Sequence, residues 1–489
     1  MNYRHGIYTS RTKTKVPAPK LGKTNITVAI GTAPVNRAED PYGCTNVPIV
    51  INDKGEADKY FGVSENFEKY TLLHAIYAFF NKFAVGPLVL INVLDPKNNN
   101  HIEAVTDKSI TLTGGKAVIE DEGILLDKLV LSDGASKEYV NDSDYVASFD
   151  DYGNVVIAVT NDGELVGKDK VFVSYSKLKP DGVKDEDIIG GIDESENRSG
   201  VELFDEIYTR LGVVPGIAIA PGFSKSPKVA AALEAKVQLI NGLINAFAII
   251  DLDSSSKGAV KPSDVAKVKS KNVVASRWNL PVWPMAKADG YKIYLSAMAA
   301  ALLQKTTFEN DNIPSDSPDN HNLMIDGLCL EDGTDIYMTQ DTVNNYINAY
   351  GVASAIKLPD WKFWGNNTAA YPVSEDPAER WIKCVMMLNY IENRFKLEYM
   401  SSVGRSGNYK LVNGIVNEFN MVLNSLTPDH LANGNIVFNK KDNPMENIIR
   451  GKFKFKTEYA DYVPAEVIEN EFSYSIDMLE TALEGGQNE

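Results

Sequence analysis

Four short, almost wholly apolar runs constrain this fold most: Ile26 to Ile30, Leu88 to Val93, Ile217 to Ala220 and Phe247 to Asp251. Turn residues close them, Gly31 after the first and Pro221 with Gly222 after the third, and helical text lies between. A strand with no polar side is buried on both faces, so the pattern describes a mainly parallel sheet covered by helices. The helical text comprises a segment carrying Phe67, Tyr70, Leu73, Ile76, Tyr77 and Phe80, then Val201 to Arg210, Pro227 to Leu239 and an Ala-rich helix from Tyr291 to Leu303. A further strand is expected near Val273.

Between Asp95 and about Asp187 the text changes to short β runs, Lys128 to Leu131, Val155 to Val159 and Val171 to Tyr175. They are separated by the turns Gly114-Gly115, Asp133-Gly134, Tyr152-Gly153 and Asp162-Gly163. This spacing indicates an all-β domain inserted into the α/β one, on an exposed face. From about Pro359 a Trp- and Asn-rich loop leads to two helices, Asp376 to Leu397 and Tyr409 to Leu426. The first sets Trp381, Cys384, Val385, Leu388, Ile391 and Phe395 on a core face. The expected fold class is α/β with an α+β C-terminal region: a mainly parallel sheet core, an inserted all-β domain and terminal strand-exchange arms. The expected division is an arm over 1–22, an α/β core over 23–95 and 188–358, the insertion over 96–187, a C-terminal domain over 359–464 and a second arm over 465–489.

Both ends read as lone strands. Thr12, Thr14 and Val16 alternate with Arg11, Lys13 and Lys15 before Pro17. Phe453, Phe455 and Tyr459 alternate with lysines, and Phe472, Tyr474 and Ile476 alternate with polar residues. Such strands are marginal alone but satisfy their backbone groups when donated to a neighbour's sheet edge. Ordinary edge strands guarded by lysine fit the same pattern. The first arm carries Arg4, Arg11, Lys13, Lys15, Lys20 and Lys23 and no acid, on a chain of net charge −17. Such an arm is drawn to acidic protein.

With 489 residues and 44% apolar, the composition is that of a globular protein with room for about three domains. The excess of 66 acidic over 49 basic residues argues against nucleic acid as partner. Cys44, Cys329 and Cys384 are widely spaced and form no CxxC. The N-terminal text has no apolar core, and the run from Ala246 to Ile250 is too short to span a bilayer, so neither a signal peptide nor membrane insertion is expected.

No GxxxxGK[ST], GxGxxG or GxSxG is present, so the sheet lacks the turns that usually carry phosphate or nucleophile chemistry. Asp251 and Asp253 end a strand, and Ser254 to Lys257 matches SxxK; a turn capped by Asp and Ser is the simpler explanation. The histidines are dispersed, and His74 reads as a core residue. Trp361, Phe363 and Trp364 suit either ligand stacking or loop anchoring. No catalytic residue, cofactor or metal is expected. A hydrolase with an α/β core and a monomeric surface-binding protein remain as alternatives.

Several segments together resemble the tail sheath proteins of contractile bacteriophage tails and phage-derived contractile bacteriocins. They are Pro215 to Gly222 with the following Ala-rich helix, Phe247 to Asp251, Ser317-Pro318-Asp319-Asn320, Asn443-Pro444 through Gly451, and Val463-Pro464-Ala465-Glu466. One departure is the stretch from Asn310 to Pro318, without the small hydrophobic and glycine-rich text common there. The resemblance implies a subunit of six-membered rings stacked helically around an inner tube, with arms woven into neighbouring sheets and a metastable state that shortens collectively. It also implies the tail tube protein, baseplate and tail terminator proteins as partners. Assembly would take place in the bacterial host cytoplasm, into a virion tail or a released particle. Lys383, Met387, Tyr390 and Arg394 form a second stripe on the Asp376 to Leu397 helix, a candidate contact for the tube.

Overall fold

The computed structural model describes residues 24–272 and 274–484. The arm residues Arg11, Thr12, Lys13, Thr14, Lys15 and Val16, and Val273, lie outside the described residues.

The apolar runs assemble into one six-stranded sheet in the spatial order Asn279–Val282, Phe247–Asp251, Pro215–Ile219, Ile26–Gly31, Leu88–Asn92 and Ile49–Ile51. The first five run parallel, and Ile49–Ile51 is an antiparallel edge. The four central strands are buried at every position, which is why they read as unbroken apolar text. The fifth parallel strand, Asn279–Val282, contains Pro281 and lies at the sheet's other edge, where proline is tolerated.

Helices Leu72–Ile76, Tyr77–Lys82 and Leu295–Glu309 pack together against the sheet, and Phe204–Leu211 and Pro227–Val237 form a second layer. The Ala-rich helix starts at Leu295, not Tyr291, because Tyr291–Ile293 pairs with Met285–Ala288 as a strand. Its fully buried Ala297, Ala299, Ala300 and Ala301 let it sit close to its neighbours. On the same helix buried Gln304 accepts from the Thr27 N–H at 2.8 Å and donates to the Pro87 carbonyl at 2.7 Å, joining the starts of two strands.

Between Ile102 and Leu178 the chain forms two antiparallel sheets, one of four strands and one of three. They enclose a core of their own that includes Leu131, Tyr145, Val155, Ile157, Val171 and Val173. The seam with the body is mixed: Leu125, Leu178 and Val183 join the core of the body, and polar contacts surround them. Asn36 Nδ2 donates to the Ile124 carbonyl at 3.2 Å, Tyr42 donates to Asp127 at 2.6 Å, and Glu122 accepts from Ser64, Asn66 and Lys69.

In the C-terminal region the expected helix from Asp376 is broken at Trp381, which is extended (φ −88°, ψ 126°) between the short Pro377–Arg380 and the long Ile382–Tyr399. The second helix is Tyr409–Leu426. Met387, Ile391, Phe419, Leu423 and Ile436 form a core joining both helices to a two-stranded sheet.

Candidate assembly surface

Open α/β sheets bind ligands at the carboxyl ends of the strands where the winding reverses, here beside Ile26–Gly31. That position is filled by protein. The Thr32 N–H donates to Thr71 Oγ1 at 3.1 Å, and the Thr71 N–H donates back to Thr32 Oγ1 at 3.0 Å. Gly222 has φ +79° and lies so near that an added Cβ would stand 3.0 Å from the Tyr294 ring.

The acidic pair beyond Phe247–Asp251 serves the backbone. Buried Asp251 accepts from the Ser296 N–H at 3.0 Å and its hydroxyl at 2.6 Å, capping the Ala-rich helix, and burial pushes its carboxyl up to about 6. Asp253 closes a turn by accepting from the Ser255 N–H, and no hydrogen bond joins Ser254 to Lys257 among the described residues. His74 is fully enclosed, with Nε2 against the Phe67 carbonyl at 2.9 Å and Nδ1 accepting from the Tyr294 N–H at 3.2 Å. Burial lowers its pKa to about 4. Trp361 and Trp364 donate to the Asp326 carbonyl and to Asn344, anchoring the hairpin of Ser354–Leu358 with Asp360–Trp364. Among the described residues, no group of three or more His, Cys, Asp or Glu is placed to hold a metal ion. No helix there is long and apolar enough to cross a membrane.

Unpaired backbone and uncovered apolar surface lie at the C-terminal end. Strand Lys456–Ala460 pairs antiparallel with Asn433–Val437 of the same chain, so it is not lone as its alternation suggested. Phe453 and Phe455 precede this strand, packing near Phe438, while Tyr459 lies within it. One edge of this small sheet is closed, because the Asn420 amide accepts from the Ile436 N–H at 2.9 Å and donates to its carbonyl at 3.0 Å. Directly opposite residues of an antiparallel pair aim their backbone groups either both at each other or both away, and those of Ile436 go to Asn420, so Thr457, facing Ile436, turns its N–H and carbonyl to the other edge. Among the described residues no strand lies along that edge.

Beyond it the chain runs without regular structure from Asp461 to Ser475 and then forms helix Ile476–Glu484. Two of its residues, Asp461 and Glu466, hold the start of this tail. Asp461 lies 3.8 Å from Lys383, both side chains at most 10% exposed, and Glu466 pairs with Arg380 at 2.8 Å. Burial raises the Asp461 carboxyl and pushes the Cys384 thiol up to about 12. Past these anchors apolar side chains face outward: Ile468 is 86% exposed, Phe472 90% and Tyr474 80%. Phe472 and Tyr474 form no strand within the chain, and Ile476 starts the helix instead of ending a strand.

The stripe of Lys383, Met387, Tyr390 and Arg394 is not a surface stripe. Lys383 and Met387 are buried, leaving Tyr390 and Arg394 at the surface, where Arg394 donates to the Tyr390 hydroxyl at 3.2 Å and neighbours Glu398. Helix Ile382–Tyr399 buries two faces. Ile382, Val385 and Met386 join the main core, Met387 and Ile391 the C-terminal one. Asn389 and Asn393, absent from the expected core face, satisfy the Ala246 and Asn245 carbonyls.

The chain is similar in sequence and in fold to several known proteins. The chain is 26% identical to a tail sheath protein of Burkholderia phage BcepMu over 393 residues, 76% of each chain. It is 23% identical to a putative prophage major tail sheath protein of Pseudomonas aeruginosa strain UCBPP-PA14, over 57% of this chain and 70% of that one. In structure it resembles the helical sheath of the anti-feeding prophage in its contracted state, with TM-score 0.56 and 13% identity over 96% of this chain and 99% of the other. It also resembles the contracted sheath complex of an extracellular contractile injection system called PVC, with TM-score 0.57 and 13% identity over 98% and 99% of the two chains. No family model matches the chain. The resemblance to contractile tail sheath proteins therefore stands on sequence and fold together, and with these relatives the role is structural and not enzymatic.

Proposed function

We propose that this chain is the subunit of a contractile tail sheath, polymerising as stacked hexameric rings around an inner tube, with its arms exchanged between neighbours. The observation that carries the proposal is the open edge at Thr457, next to a tail whose large apolar side chains have no cover in their own chain. A donated strand satisfies that edge by main-chain hydrogen bonds and covers alternate side chains. Rigid α/β bodies tied by such ladders rotate past one another while the lattice stays continuous, and a small free-energy gain per subunit sums over the tube. The work of driving the tube through a bacterial envelope is then done by repacking, without nucleotide.

The inner tube, baseplate and tail terminator proteins are the partners this role requires, with assembly in the host cytoplasm. Residues over 1–22 supply the second donated strand and residues over 96–187 an outward domain. Tyr390 and Arg394 are the part of the tube-facing stripe that remains available. Sedimentation of the purified chain at rising concentration tests the reading. Large, salt-sensitive assemblies are expected, because a basic arm meets acidic neighbours; a species that stays monomeric throughout would overturn it.

A further inference from the structure

A groove of about 720 Å³ lies beside the small sheet, between the carboxyl end of helix Ile382–Tyr399 and the start of helix Tyr409–Leu426. Tyr399, Met400, Val403, Leu411, Ile449 and Phe453 line it, with Val403 and Ile449 mostly exposed. Lys396 and Arg405 belong to its wall, and Lys410 and Lys452 flank lining residues. The groove is thus apolar at its floor; of the two cations in its wall, Lys396 donates to Asn245 and neighbours Glu392, and Arg405 is exposed.

The terminal helix Ile476–Glu484 has the matching character. Ile476, Leu479 and Leu483 fall on one face at helical spacing and are all exposed, while Asp477 and Glu480 lie off that face. From Asp461 to Leu483 the tail has six acidic residues and no Lys or Arg.

We infer that the groove receives the terminal helix of a second copy of this chain. The inference rests on the sheath reading and names a contact in addition to strand exchange. Three observations support a second copy over the same chain or another segment. The tail is anchored by Asp461 and Glu466 to Lys383 and Arg380, at the opposite end of helix Ile382–Tyr399 from the groove. That helix is about 27 Å long at 1.5 Å per residue, and the ten residues from Glu466 to Ile476 span at most about 35 Å, so the chain's own groove needs a nearly taut return. The basic text over 1–23 carries the same charge as the exposed Arg405 in the groove wall, whereas the acidic tail carries the opposite one. The groove also adjoins Phe455, immediately before the strand with the open edge, so a tail paired along that edge delivers its helix there.

Cysteine pairing tests this, since the three native cysteines are buried. Full-length Leu479→Cys and Val403→Cys variants are mixed under mild oxidation at concentrations that give tubes, and linked peptides are identified by mass spectrometry. A link between position 479 of one copy and 403 of the other is expected, and Ile476→Asp with Leu483→Asp should lower tube yield at least tenfold while the urea midpoint stays unchanged. Tubes without that link would overturn the groove assignment and leave the sheath reading standing. Closure within a single Leu479→Cys/Val403→Cys chain at high dilution would overturn it too, as would a link from 403 to a Thr12→Cys variant. If neither tubes nor links form, the sheath reading fails and takes this inference with it.

Discussion

His74 and Asp251 sit on opposite sides of one electrostatic balance. The His74 ring is held neutral, with its pKa lowered from 6.5 to about 4 by burial, so between these values the unfolded chain binds the extra proton. Stability owed to His74 is therefore present above pH 6.5 and lost as pH falls towards 4, by about 3 kcal/mol. Asp251 acts in the other direction, since its pKa is raised to about 6 and the folded state retains a proton that the unfolded chain releases. In a His74→Gln variant the first dependence disappears. Its urea-derived stability deficit against the natural chain should shrink by about 3 kcal/mol between pH 6.5 and pH 4; a constant deficit would show that the imidazole is solvated. Lys383 offers a second residue-level test. Lys383→Met leaves Asp461 charged, buried and alone, at a cost of about 3 kcal/mol. The loss should ease on acidification, because burial already raises the Asp461 pKa. An unchanged urea midpoint would place the pair in water.

At the level of elements, the central sheet was legible because its strands are buried on both faces and so carry a continuous apolar signal. The edge strand Asn279–Val282 was not, since Pro281 and Asn279 interrupt that signal. The two-faced burial of Ile382–Tyr399 was also hidden. Periodicity marks one apolar stripe, whereas Lys383, Asn389 and Asn393 are buried through specific polar partners that spacing does not reveal. The strand partner of Lys456–Ala460 was missed because Asn433–Val437, with Gly434 and two asparagines, has weak β text. Two predictions belong here. Thr457→Pro removes an outward N–H without breaking the pairing to Asn433–Val437, so the variant should keep its urea midpoint within about 1 kcal/mol and fail to form tubes. Tubes from this variant would mean that no strand is added at that edge. Replacing residues 97–187 by a short Gly/Ser linker should leave tube formation intact, because that segment has a core of its own, though the body loses the packing of Leu125, Leu178 and Val183 and becomes less stable. Loss of tubes by a variant whose body still unfolds cooperatively would assign the insertion to the lattice.

For the whole molecule, a filled ligand crevice, a tail anchored at two points and apolar past them, and a sheet with one open edge are features of a part made to be joined to copies of itself. The fold matches contracted sheaths over nearly its full length. The resemblance was legible in short segments such as Pro215 to Gly222, whereas the open edge needed the structure, because it depends on which side of Ile436 the Asn420 amide occupies. The most direct measurement is negative-stain electron microscopy of the purified full-length chain at low salt, beside the Thr457→Pro variant. Hollow tubes or stacked rings of six subunits are expected from the natural chain, and isolated particles from the variant. Isolated particles from both, at concentrations where the chain is folded, would contradict the account.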